Sequence, residues 1–172
     1  ILPGSGGSGE HHWQTLWQQH DPQLQRFQPS SWDQPRLDDW LNALDRSVCA
    51  APQAPMLIAH SLACLLVAEY CHRYDRNLAG VLLVAAPDPD SSCFPIQEAY
   101  EFVDFHRGQL PCPALLISSL DDPYASPEYS KQLALNWGSQ HITVGRKGHI
   151  NNVGDWPEGR NLLTAFRAGL HL

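Results

Sequence analysis

The sequence predicts an α/β fold: a three-layer sandwich with a mostly parallel central sheet and helices on both faces. Three observations carry that reading. Short apolar runs alternate with stretches whose apolar residues recur at helical spacing, in the order βαβαβαβαβα. Residues 78–86 (LAGVLLVAA) are apolar without a break, as a strand covered on both faces requires. Pro, Gly, Asp and Ser punctuate the runs, so right-handed crossovers can fold them into one sheet. The 172 residues suit one domain spanning 1–172. A chain of this length buries roughly 70% of its unfolded surface and needs no staples.

Each element has its own signal. Residues 1–2 read as the tail of a buried strand. The loop after them, from Pro3 to Gly9, holds four glycines in seven residues. Such a backbone can take positive φ and approach a partner closely. Residues 12–20 form a short helix, because Trp13, Leu16 and Trp17 recur at i, i+3 and i+4. Residues 24–27 read as a short strand. Residues 35–48 form a second helix, opened by Pro35, whose missing N–H costs nothing in a first turn. Leu37, Trp40, Leu41 and Leu44 make its apolar face. Residues 55–59 form a strand that stops at His60 and Ser61. Residues 62–74 are a helix that starts apolar on nearly all sides, so it packs on the sheet. The strand at 78–86 ends at Pro87. Residues 91–113 are irregular, a loop or short helix carrying Phe94, Tyr100, Phe102 and Phe105. A strand at 114–119, a helix at 127–137, a strand at 141–144 and a helix at 161–170 complete the order.

Charge and composition exclude several functions. Lys and Arg number 11 against 18 Asp and Glu, a net charge of −7. No basic face for phosphates exists, so a nucleic-acid partner is excluded. No apolar run approaches the ~20 residues needed to cross a bilayer, and no basic-then-apolar leader opens the chain. No membrane partner is expected, and a cytoplasmic location is. Cys49, Cys64, Cys71, Cys93 and Cys112 form an odd set without a C-x-x-C pair. Cys64 and Cys71 stand about 10 Å apart along one helix, too far for a disulfide. All five are expected to be buried free thiols in a reducing compartment. His11, His12 and His20 lack metal-ligand spacing and are expected at solvated helix positions. The pairs Trp13/Trp17 and Trp32/Trp40 are expected to serve as core or rim packing. The glycine loop lacks both the Lys-Ser/Thr of a phosphate loop and a G-x-G-x-x-G register. No metal or cofactor is implied.

In parallel sheets the reactive groups gather in loops beyond the carboxyl ends of the strands. Those loops hold Ser61, then Asp121 and Asp122, then His149. Ser, Asp, His is the chain order of the α/β-hydrolase triad. Ala59-His60-Ser61-Leu62-Ala63 fills the slot of a G-x-S-x-G nucleophile elbow, with Ala at both glycine positions. Small residues are needed there because strand and helix backbones pass close together. A serine hydroxyl needs a base to take its proton, and His149 is the candidate. An acid behind it would fix the tautomer. Asp122 is preferred to Asp121 because it precedes Pro123, where the turn should aim a side chain inward. The oxyanion needs two backbone donors: the N–H of Leu62, and one from the glycine loop at Ser5 or Gly4. Taken singly, the serine could be an N-cap, the Asp pair a turn and the histidine an ordinary loop residue. Together, at three strand ends and in order, they point to catalysis.

The chain also resembles a known family. Pro3-Gly4 through Gly9 with His12, Trp13, Gln14 and Trp17 resembles the opening of small serine hydrolases related to bacterial YdeN and to the human retinoblastoma-binding serine hydrolase. The segments around Ser61, from Ser118 to Ser126, at Trp137 to Ser139, at Gly148 to Asn151 and at Trp156 to Gly159 are similar too. The resemblance implies a compact α/β-hydrolase fold and a triad of Ser61, Asp122 and His149. Two features depart from the family pattern: Ala63 stands where Gly is common, and the stretch 151–155 is short. Binding to a pocket protein would use an L-x-C-x-E peptide. Leu62, Cys64 and Leu66 stand there with no Glu, so no such partner is carried over.

The expected function is hydrolysis of a small ester, thioester or amide through an acyl-serine intermediate, the partner being a small-molecule acyl substrate. Residues 87–113 are too few for a cap domain, so the site should be open, lined by Gly4, His60 and Phe94 with Tyr100 and Phe105, and suited to short acyl chains. Two alternatives stand beside it: a non-catalytic interaction module on a hydrolase scaffold, and an acyltransferase using the same triad. No motif specifies the oligomeric state or the natural substrate.

Overall fold

The computed structural model describes residues 1–170 of the chain. Its sheet has four parallel strands, β1 Met56–His60, β2 Gly80–Val84, β3 Ala114–Ser118 and β4 Gln140–Thr143, adjacent in that order. Leu2 adds one parallel bridge outside β1, opposite Ala59. Its N–H donates to Ile58 O at 2.8 Å, and its carbonyl accepts from His60 N at 3.0 Å. Residues 1–2 thus end on the sheet as expected.

Alternation along the strands divides the core in two. Leu57, Ala59, Val81, Leu83, Ala114 and Leu116 face one core. Helices α2 (Leu37–Cys49), α3 (Leu62–Arg73) and α5 (Pro127–Trp137) pack on it, with Phe27, Phe94, Phe102 and Phe105 from the connecting segments. Ile58, Leu82, Val84, Leu115 and Ile117 face the other core, which Trp13 and Trp17 of α1 (Trp13–His20), Trp156, and Phe166 of α6 (Pro157–Gly169) complete. The three-layer sandwich is therefore the observed architecture. Between β2 and β3 the chain makes only a four-residue helix α4 (Ile96–Ala99) and a single 3-10 turn (Tyr100–Phe102). No cap domain rises there.

Several expected boundaries shift for identifiable reasons. Residues 24–27 form no strand. Leu24 N bonds back to Asp21 O at 3.1 Å, and the segment meets the first strand's tail at Ile1 alone, whose ammonium donates to Gln25 O at 2.6 Å and whose carbonyl accepts from Phe27 N at 3.2 Å, so no ladder extends along it. Helix α2 starts at Leu37, not Pro35, and its first free N–H is satisfied from far along the chain: Leu37 N donates to Glu101 Oε2 at 2.8 Å. Helix α6 starts at Pro157, a full turn before 161, because proline already has helical φ at a first position. Strand β4 is a half-exposed edge rather than a buried run. The cysteines are all free, but Cys49 and Cys93 are exposed, so only part of the buried-thiol expectation holds. Trp13, Trp17 and Trp40 are fully buried and Trp32 packs half-buried against Trp40.

Leu83 is fully buried at the centre of β2. Leu83→Ala is expected to cost about 2–5 kcal/mol through lost contacts and a residual cavity, read as a lower urea midpoint with an unchanged m-value.

Candidate active site

Three strand ends deliver the site. Beyond β1 the chain turns sharply at Ser61, with φ 56° and ψ −128°, straight into α3. L-residues rarely hold that region; it costs on the order of 1–3 kcal/mol and persists only where surroundings enforce it. Here they do. Ser61 N donates to Val84 O at 2.9 Å, and Cys64 N donates to Ser61 O at 2.8 Å. Ala59 and Ala63 are fully buried, so smallness, not glycine freedom, meets the elbow's packing need. The Ser61 side chain makes no cap bond to α3, which removes the N-cap reading.

Its Oγ instead lies 2.7 Å from His149 Nε2. His149 Nδ1 lies 2.9 Å from both oxygens of Asp122. A carboxylate only accepts, so Nδ1 carries the proton and Nε2 is left to accept from the serine hydroxyl. Both side chains are nearly enclosed, His149 at 9% exposure and Asp122 at 3%. Asp122 Oδ1 also accepts from Tyr124 N at 2.9 Å. The Tyr124 ring lies 4.4 Å from the imidazole, centre to centre.

Asp121 has a separate task. Its Oδ1 accepts from Gly148 N and from Ser119 Oγ, each at 2.8 Å. Ser119 Oγ in turn accepts from Lys147 N at 2.9 Å. These bonds fasten the turn before His149, where Gly148 and Ile150 on either side take left-handed φ of 56° and 51°. The Gly148 amide, with Ser119 second, holds the Asp121 carboxyl below its ordinary range.

The cleft over Ser61 has a volume of about 610 Å³. Gly4 is pressed into its floor: a Cβ there would come within 2.9 Å of Ser61 Cβ and 3.0 Å of His60 O. Ser5, Leu62, His60 and Phe94 line it together with Gly4. The amides of Leu62 and Ser5 have no backbone acceptor among the described residues. Two expectations fail. Tyr100 points to solvent at 55% exposure, and Phe105 packs beneath Trp137 in the core; neither reaches the cleft.

The chain matches the model of a family described as serine hydrolase over residues 1–165. It belongs to that serine hydrolase family. A YdeN-like hydrolase from Pectobacterium atrosepticum shares 31% identity, with 98% of this chain and 90% of that one covered at a TM-score of 0.87. The ydeN product of B. subtilis, at 23% identity, covers 98% and 97% with a TM-score of 0.79. A thermophilic esterase from Thermogutta terrifontis, at 13% identity, covers 99% and 89% with a TM-score of 0.73 and shares the fold. No curated protein matches. The fold is the α/β-hydrolase fold, and family membership supports a hydrolytic activity.

This serine hydrolase contains a layer of histidines, of which sequence reasoning misplaced one, His12. His11 and His20 are exposed as expected, but His12 is not a solvated helix position. It caps α1, its Nδ1 accepting from Gln14 N at 3.2 Å. Its ring sits 4.8 Å from His60, and His60 sits 5.0 Å from His149, centre to centre. His60, 5% exposed, donates from Nε2 to the His149 carbonyl at 2.9 Å. Burial first, then neighbouring cationic partners, pushes His12 down to about 4 and His60 well below the ordinary histidine value. The signal was the bare dipeptide His11-His12 before an apolar helix, which cannot tell a cap from a surface residue.

Both folded values lie below the unfolded value near 6.5, so as pH falls through that value the unfolded chain takes up protons that the folded chain refuses. Stability is therefore expected to fall as pH drops from 6.5 toward 4. His60→Gln, which keeps an N–H for the His149 carbonyl, should flatten that dependence in urea titrations run across the range.

Proposed function

We propose that this protein hydrolyses a small carboxylic ester, or a thioester or amide, through an acyl-serine intermediate at Ser61. The observation that carries the reading is the unbroken line from Ser61 Oγ to His149 Nε2 at 2.7 Å and from His149 Nδ1 to the Asp122 carboxylate at 2.9 Å. A non-catalytic scaffold gives no reason for a strained serine to forgo capping and face an oriented imidazole.

The steps follow from these atoms. Ser61 Oγ bonds to the carbonyl carbon while its proton passes to His149 Nε2. The carbonyl π pair moves onto oxygen, and the Leu62 and Ser5 amides receive that oxyanion. Collapse breaks the bond to the leaving group, which departs with the proton from His149 Nε2. Water then repeats the sequence on the acyl-serine, releasing the acid and restoring the serine. Asp122 stays ionised and stabilises the imidazolium formed in each half.

The cleft suggests the orientation of the substrate. The leaving group takes its proton from His149, so it belongs on the side of the cleft lined by Tyr124, whose ring lies against the imidazole, and by Asn151 and Asn152. The acyl part then lies along Pro87, Phe94 and Pro95. With no cap over about 610 Å³ of cleft, short acyl chains fit better than long ones. Five free cysteines suit a reducing, cytoplasmic setting.

A fluorophosphonate probe should label the wild type and not Ser61→Ala. Asp122→Asn should fold normally yet lose about 10⁴ in kcat on a p-nitrophenyl ester, since the wrong tautomer would face Ser61. Equal labelling of wild type and Ser61→Ala would overturn the reading. Product analysis with an added alcohol distinguishes water from another acyl acceptor.

A further inference from the structure

The glycine loop that approaches Ser61 is fastened from behind by Arg26, a residue outside the cleft. Arg26 Nη1 donates to Gly7 O at 2.8 Å and to Ser8 O at 3.3 Å. Its Nη2 donates to Thr15 Oγ1 at 2.8 Å, and its Nε to Gln18 Oε1 at 3.1 Å. Thr15 Oγ1 donates its own hydrogen bond to Ser8 O at 2.7 Å. Every acceptor is neutral. No carboxylate forms an ion pair with Arg26 among the described residues, and burial lowers its affinity for the proton. A half-buried cation held only by loop carbonyls and uncharged side chains is expensive to keep. A solvated lysine or glutamine would close the same surface at less cost.

The arrangement makes sense through peptide geometry. All peptide bonds among the described residues are trans, so each carbonyl points opposite to the next N–H. Arg26 holds the Gly7 carbonyl, and the same residue's N–H donates to Gly4 O at 3.1 Å. Gly6 N is taken by Trp32 O at 3.1 Å. The Gly4 carbonyl is thereby turned back into the loop, and the amide of the next residue, Ser5, is turned the other way. That amide has no backbone acceptor, and its residue lines the cleft. Gly6, Gly7 and Ser8 all hold left-handed φ, at 80°, 75° and 54°. The two glycines take such φ freely, but Ser8, an L-residue, holds it only where its surroundings enforce it.

We propose that Arg26 is a positioning residue for the oxyanion donor at Ser5. Its planar fork holds the far side of the loop so that the Ser5 amide is aimed before substrate arrives, and its unneutralised charge adds to the field that favours the oxyanion. This rests on the acyl-serine reading above. An oxyanion donor must be fixed in advance to contribute fully. Arginine suits the task because five donors in one rigid plane can hold several carbonyls at once.

The test compares wild type, Arg26→Met and Arg26→Lys on a p-nitrophenyl ester, with folded fraction measured by tryptophan fluorescence and rates stated per folded molecule. Arg26→Met should lose on the order of 10²-fold in kcat, comparable to removing one oxyanion donor, with KM little changed. The inhibition constant of a trifluoromethyl ketone, which places an oxyanion in the same position, should rise by the factor by which kcat/KM falls. Added guanidinium at a non-denaturing concentration should restore part of the Arg26→Met rate and leave the wild type unchanged. Arg26→Lys keeps the charge without the fork and should fall between the two; if Arg26→Met does not fold, this variant decides. Folded variants with kcat within twofold of wild type, or a loss confined to KM, would overturn the proposal. A wild type that neither cleaves ester nor takes the fluorophosphonate would instead overturn the acyl-serine reading.

Discussion

Everything in the cleft depends on one unfavourable backbone conformation, the left-handed turn at Ser61. A chain leaving a parallel strand and entering a helix packed on the same sheet must reverse within one residue. The helix can start there only if that residue accepts positive φ. The surrounding structure enforces it on every side. Strand pairing fixes the residues before Ser61, the buried face of α3 fixes those after it, and Ser61 N is tied to Val84 O. Gly4 presses on the turn from outside, at a distance where any side chain would collide. Strain of on the order of 1–3 kcal/mol is small against the two cores that impose it. In return the hydroxyl stands clear of its own helix and faces another strand's loop.

That loop is built with equal constraint. His149 lies between two left-handed residues, Gly148 and Ile150, and three independent groups fix it. Asp122 sets its tautomer, Asp121 holds the preceding turn through the Gly148 amide, and His60 binds its carbonyl. The adjacent aspartates thus divide two jobs that one residue could not do. One faces the ring, and the other faces the backbone. The His60 contact is economical in another way, because the residue that precedes the nucleophile also fixes the base. Movement of either loop would disturb both.

How much of this was legible in the sequence follows the same physics. The strands, the helix after Ser61 and the order of the three reactive residues were readable, because burial on two faces writes long apolar runs and parallel sheets put loops at one rim. Asp122 was preferred to Asp121 for the proline that follows it, and it is the Asp122 carboxylate that lies against His149 Nδ1. What was not readable depended on contacts between segments distant in sequence. Residues 24–27 have strand-like composition, yet their role is to carry Arg26 to the glycine loop, and no periodicity records a side chain's destination. His12 looked like a surface residue because capping and solvation place the same amino acid at the same position. Phe94, Tyr100 and Phe105 looked alike in an irregular segment, and only packing distinguished the cleft wall from the solvent face and the core.

The charge inventory of the cleft gives these details a common logic. At rest, the line from Ser61 to Asp122 carries one negative charge, on a carboxylate almost closed to solvent. In the turnover proposed above, the imidazole becomes positive beside it and an oxyanion forms near the glycine loop. Burial disfavours a proton on His60, which adjoins the base, and on His12 beyond it, so neither repels the imidazolium as it forms. The uncompensated guanidinium lies behind the glycine loop, bound to the Gly7 and Ser8 carbonyls, and its charge also disfavours a proton on His12. Neutral groups therefore stand where a positive charge will appear, and a positive one stands behind the place where a negative charge will appear. A site arranged for a resting ligand would need no such asymmetry. It fits a cleft whose electrostatics are matched to charges that exist only while a bond is changing.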